Sequence, residues 1–259
     1  MFKFLKDTKK LVLVAMLVAL SFLLSLIEIP TPFLSYLSLD ASELPILVAA
    51  DLLGGGALII VTILRSLLRF MIKGTLIFGE LAAIIMSLSL GFIFIGLHRH
   101  FEKSDEEHNK KLVNTTLIVA ITLCVLAIVF IALSSFSWKV AGIITFALPL
   151  IVCLFCCLKK DGKTKREFVQ IIISGFTVTI IMVVMNFLFL TPSNALQKFA
   201  FYPEVVNTWF NGSYQDYIYS TILPLVPFNM LKIFLTIIIY YTLERVVISR
   251  KKQTKTPKS

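Results

Sequence analysis

Five polar side chains sit inside or beside long apolar runs: Asp40, Glu80, Asn186, Asn229 and Lys232. An ionisable group placed in a bilayer costs roughly 2.5–3.5 kcal/mol, so each needs a partner or a ligand. Two readings are open. In the first, Glu80 and Lys232 form an ion pair while the two asparagines bind helices to one another. In the second, the set lines a pocket with amide donors and acceptors, one cation, and walls of Phe and Leu. Such a pocket suits a flat heteroaromatic ligand with an imide edge. Asn229 and Lys232 are spaced i,i+3 and therefore share a helix face.

Other polar patterns are less committed. Arg65, Arg69 and Lys73 form an i,i+4,i+8 stripe, expected to snorkel and pair with Asp51, or else to meet a partner subunit. Ala15 and Ala19 are spaced as a small-xxx-small pair, which packs a helix internally or lets a partner helix approach. Cys124, Cys153, Cys156 and Cys157 all lie in apolar runs, without the polar surroundings of a redox or zinc site. His98, His100 and His108 share one charged loop, and no H-E-x-x-H occurs. The Asn211-Gly212-Ser213 sequon reads as a turn. Without a G-x-x-x-x-G-K-[ST] loop the chain cannot hydrolyse ATP by that route. Nothing here is an enzyme's constellation, and neither a metal nor a cofactor is expected.

The elements that must position these groups follow from composition. Of 259 residues 58% are hydrophobic and 15% charged, with mean hydropathy +0.90. Soluble domains carry about 45–50% apolar and about 25% charged residues. Apolar runs recur from residue 11 to 248, several near the ~20 residues that cross a bilayer as helix. Backbone groups in hydrocarbon must be satisfied within the segment, and the alternation of a membrane barrel is absent. The chain reads as an all-α integral membrane protein.

Spans are expected at 11–29, 57–72, 79–97, 168–190 and 221–248, with a shorter helix at 44–53 that turns at Gly54-Gly55-Gly56. Two further runs, 112–136 and 138–158, form an inserted helical hairpin. The first run is a retained span rather than a signal peptide, because no small-residue cleavage site follows it. Most of the 25 Lys and Arg fall in four clusters: before residue 11, at 99–111, at 159–166, and from 245 onward. All four land on one side of this path, so the net charge of +10 reflects positive-inside topology rather than nucleic acid. Both termini, including the basic tail 249–259, are then cytoplasmic. The outer loops 30–43 and 191–220 are rich in Pro, Tyr, Trp, Phe, Asp and Asn, the natural entrance to a site.

Several motifs together resemble a known family. Ala15-x-x-x-Ala19 is followed by Leu39-Asp40-Ala41-Ser42-Glu43-Leu44-Pro45 and by Gly79-Glu80-Leu81-Ala82. Asn186-Phe187-Leu188-Phe189-Leu190-Thr191-Pro192 and Pro227-Phe228-Asn229-Met230-Leu231-Lys232 complete the set. The chain is similar, over residues 8–100 and 166–248, to the S component of an energy-coupling factor (ECF) transporter, in particular the riboflavin type. The resemblance implies a six-helix bundle in the bacterial cell membrane that captures its vitamin outside and docks on a transmembrane coupling subunit with two ATPase subunits. It implies that Asp40, Ala41, Glu80, Asn186, Asn229 and Lys232 lie at or near the flavin, and that Ala15 and Ala19 meet the coupling subunit. The hairpin 112–158 departs from the family pattern, and 193–220 diverges enough to leave folate, thiamine or pantothenate open as the vitamin. A self-sufficient secondary transporter is the rival class, but no inverted repeat with broken helices appears.

Overall fold

The first apolar run becomes helix α1, Thr8–Leu26, in the computed structural model, which describes residues 7–30, 38–74, 76–103, 114–115, 162–219 and 224–253. Asp7 caps it by accepting from the Lys9 N–H at 3.0 Å, satisfying one of the donors a helix start leaves open. Two-residue strands then pair antiparallel, Ile29–Pro30 with Ser38–Leu39. This pinch was not legible in the helical pattern, and it sets Asp40 one residue beyond a fixed point.

Helix α2, Glu43–Leu53, is too short to span, as its apolar length requires. Gly54 takes φ of +86° at the turn, where a side chain would be strained. The other two glycines of the triplet instead belong to α3, Gly55–Lys73. Helix α4 covers Ile77–Lys103 and α5 covers Gly162–Met185. From α5 the chain continues through a π-helical turn, Asn186–Leu190, into α6, Thr191–Leu196. Pro192 has no N–H to offer its fourth preceding carbonyl, and the Thr191 N–H reaches back five residues to the Asn186 carbonyl. Two short helices, α7 (Tyr202–Trp209) and α8 (Tyr214–Tyr217), precede the long α9, Leu225–Gln253.

Five stretches are long and apolar enough to cross a membrane: Thr8–Leu26, Gly55–Lys73, Ile77–Phe101, Arg166–Leu196 and Leu225–Val246. With α2 they make six principal helices among the described residues, an all-α membrane fold. The expected hairpin 112–158 lies outside the described residues apart from 114–115, as do Cys124, Cys153, Cys156 and Cys157. Residues 249–253 of the basic tail extend α9.

The interior has two apolar centres. Leu47, Met86, Leu90, Phe94, Val178, Met230, Ile233 and Phe234 join α2, α4, α5 and α9. Val14, Leu17, Val18, Ile46, Ala57, Leu58 and Val61 join α1, α2 and α3. Large apolar side chains also face outward, with Met71 71% and Met16 64% exposed, as lipid contact demands. A smaller cluster of Val205, Val206, Tyr217 and Leu225 folds the segment after α6 into a cap.

Helix α9 packs most extensively on α5, and Gly175 makes that approach possible. A Cβ there would lie 2.2 Å from the Phe234 ring, which is itself buried. Gly175→Ala should lower stability by about 1–3 kcal/mol through overpacking. Gly96→Ala, where a Cβ meets nothing within 4 Å, should not. Thermal melting of both variants in one detergent checks the contrast.

Candidate functional site

The site begins at the pinch between Ile29–Pro30 and Ser38–Leu39. Asp40 follows it and meets Lys232, which enters from the first half of α9, with Oδ2 and Nζ 3.0 Å apart. Both side chains are nearly buried, at 3% and 10% exposure. The other carboxylate oxygen, Oδ1, accepts from the Ser42 N–H at 2.9 Å and from the Ser42 hydroxyl. Burial by itself would raise the Asp40 pKa. The Lys232 charge and the Ser42 hydrogen bonds outweigh that and hold it at about 2.

Ser42 links this pair to three more helices. Its hydroxyl accepts from Arg65 Nη1 at 3.0 Å, and its carbonyl accepts from the Ser21 hydroxyl of α1 at 2.7 Å. Arg65 is wholly buried and also donates through Nη2 to Ser87 of α4 at 2.8 Å and to Glu43 at 3.4 Å. The expected pairing of the basic stripe with Asp51 is therefore corrected. Asp51 lies one helix length away and accepts from the Tyr240 hydroxyl at 2.7 Å. Arg69 instead meets Glu80 through Nε at 3.2 Å and Glu28 through Nη2 at 3.1 Å, and Lys73 meets Glu28 at 2.7 Å. The alternative of a Glu80–Lys232 ion pair is corrected as well: each of the two has a different partner.

Asp40, Glu80, Asn186, Asn229 and Lys232 line one cavity of about 320 Å³, within the range of small-molecule sites. Asn186 sits in the π-turn, where Nδ2 donates to the Met182 carbonyl at 2.7 Å and Oδ1 accepts from Thr191 at 3.2 Å. Asn229 Nδ2 donates to the Leu225 carbonyl at 2.8 Å. Each amide keeps one N–H and acceptor capacity for the cavity. Phe78 and Phe228 supply flat walls, with Met86, Met182 and Leu190 completing the apolar lining.

Ala41 does not line this cavity. It borders an adjoining apolar cleft of about 210 Å³ that shares Asp40 and Lys232 as a common wall. Ala15 and Ala19 line neither cavity and are exposed on α1, whose Val14, Leu17 and Val18 face the core. Polar cavity residues that the sequence reading did not assign to the site include Arg69 and Asn194. Arg69 was indistinguishable from a snorkelling stripe, and Asn194 lies in the divergent segment after Pro192. The Oδ1 of Asn194 is buried without a hydrogen-bond partner among the described residues.

A multi-span helical bundle with a half-open cavity of ligand size, lined by polar and apolar side chains, has the architecture of a membrane-embedded binding protein. Residues 9–145, more than half of the chain, match the family of substrate-specific components of ECF transporters. The chain belongs to that family. A 68-residue stretch is 40% identical to the riboflavin transporter RibU of Staphylococcus aureus (strain TCH60), covering 26% of this chain and 36% of that protein. The match thus spans about a third of that relative's length. A solved S component of a bacterial ECF transporter superposes with a TM-score of 0.55 at 19% identity, over 95% of this chain and 99% of the other. That likeness establishes the fold.

The Asp40–Lys232 pair carries a pH signature. A carboxyl held below its ordinary value of 3.8 stabilises the fold above that pH and loses its contribution as pH falls towards about 2. Asp40→Asn leaves Lys232 charged and nearly buried, and should cost about 3–5 kcal/mol at neutral pH. Melting curves of wild type and variant should converge as the pH is lowered from about 4 towards 2. A gap unchanged across that window would remove the ion pair from the account.

Proposed function

We propose that this chain captures riboflavin at the outer face of the bacterial cell membrane and delivers it through a shared coupling subunit driven by two ATPase subunits. The convergence of Asn186, Asn229, Lys232, Asp40 and Glu80 on one cavity between aromatic walls carries the reading. Asparagine amides present donor and acceptor side by side, the complement of an imide edge, and Phe78 and Phe228 line the cavity that a flat ring would fill. The partial identity to a riboflavin transporter favours a flavin over other vitamins.

Ala41 contributes with its loop, which adjoins the cavity through Asp40. The basic clusters at the ends of α4, α5 and α9 face the cytoplasm with both termini, so the cavity faces outward. Ala15 and Ala19, left exposed on α1, are the surface on which the coupling subunit packs.

Protein purified from a riboflavin-replete host should carry flavin absorption bands that survive gel filtration. A colourless protein that also fails to quench added riboflavin fluorescence would sink the assignment. Asn229→Ala should weaken riboflavin about tenfold to a hundredfold, the equivalent of one well-made hydrogen bond, while apo-protein melting changes little. The bond it loses within the protein goes to a carbonyl of its own helix.

Coupling is tested separately. Leu at both Ala15 and Ala19 should abolish ATP-dependent uptake in cells and leave riboflavin binding by the isolated subunit intact. Normal uptake by that double variant would exclude the α1 face from docking.

A further inference from the structure

Among the described residues, the charged side chains lining the cavity are Asp40, Arg69, Glu80 and Lys232. They are two acids and two bases, and each already stands in an ion pair: Lys232 with Asp40, Arg69 with Glu80. Glu28 does not line the cavity. It stands just beyond the end of α1, and one of its oxygens, Oε1, holds both Arg69 Nη2 at 3.1 Å and Lys73 Nζ at 2.7 Å.

A guanidinium is the side chain best shaped to grip a phosphate through two parallel N–H donors. Arg69 is in the cavity wall, where its Nε lies 3.2 Å from the Glu80 carboxylate without a hydrogen bond to it, while its Nη2 donates to Glu28. We propose that Glu28 is a specificity-determining residue: by neutralising Lys73 and holding Arg69 Nη2 it keeps an excess positive charge from the cavity wall, so that an uncharged ring ligand enters and its phosphate ester is refused. This rests on the flavin reading above and extends it to a choice between riboflavin and its phosphorylated form, FMN.

The physical argument is one of compensation. A phosphate monoester carries a charge of about −1.5 to −2 at neutral pH. Inside this cavity it would lie near Asp40 and Glu80, and both cations there are already neutralised. Burying an ion without a counter-charge is strongly unfavourable. An uncharged ligand needs only the amides and the aromatic walls.

The test uses the full chain in detergent, with riboflavin and FMN titrated in parallel by fluorescence quenching. Wild type should bind FMN at least about tenfold more weakly than riboflavin, a gap of one charge interaction. Glu28→Gln keeps the side chain's size but frees Lys73 and the Nη2 of Arg69, which stays beside Glu80. It should strengthen FMN about tenfold, move riboflavin less than about threefold, and lose its gain at high salt. In the double variant with Arg69→Gln the FMN gain should vanish. FMN binding as tightly as riboflavin in wild type, or an unchanged ratio in Glu28→Gln, overturns the proposal. A gain that persists in the double variant overturns the part assigned to Arg69. Failure of the wild type to bind riboflavin overturns the flavin reading instead, and this inference with it.

Discussion

The ion pair between Lys232 and Asp40 joins residues 192 apart in sequence and holds the loop after α1 against the last helix. Neither charge is tolerable in that position without the other. Through Ser42 the pair is continuous with Arg65, Ser87, Glu43 and Ser21, so one polar thread touches α1, α2, α3, α4 and α9. A fold whose outer surfaces are apolar gains its relative helix positions from packing. Here packing is supplemented by a polar network whose members must all be present or the rest are left uncompensated.

That network also explains how a membrane bundle keeps a polar cavity without collapsing it. The backbone groups around the site are satisfied locally: the π-turn at Asn186 is closed by Thr191, and Asn229 bonds back to its own helix. Side-chain capacity is then left over for a ligand, together with the buried Oδ1 of Asn194. The pinch between residues 29–30 and 38–39 places Asp40 in the cavity wall. The small core under α7 and α8 includes Leu225 of α9 and packs against Val183 and Phe187, and the Tyr217 hydroxyl donates to the Phe187 carbonyl, so this segment is tied to the bundle.

The two ends of α1 serve different purposes in this arrangement. Its inward face packs Val14, Leu17 and Val18, while Ala15 and Ala19 remain outside that core. Its far end leads into Glu28, whose carboxylate reaches α3 and, through Arg69, the cavity wall. One helix thus borders both the surface proposed for coupling and the charges that set the site's balance.

Much of this was legible in the residues themselves. The spans follow from hydropathy because hydrocarbon leaves the backbone no other choice, and the short α2 follows from the length of its apolar run. Asp40, Glu80, Asn186, Asn229 and Lys232 stand out because polar groups in apolar runs are costly, and they do share one cavity. Their pairing was not legible. Glu80 and Lys232 are acid and base in adjoining spans, yet a loop aspartate takes the lysine and a stripe arginine takes the glutamate. Sequence gives charge, depth and helical face. It does not give rotation about the helix axis or the path of a loop between spans, and those decide which opposite charges come within 4 Å. The pinch that carries Asp40 to Lys232, the burial of Arg65 and the inclusion of Arg69 and Asn194 in the wall were therefore decided by tertiary structure alone.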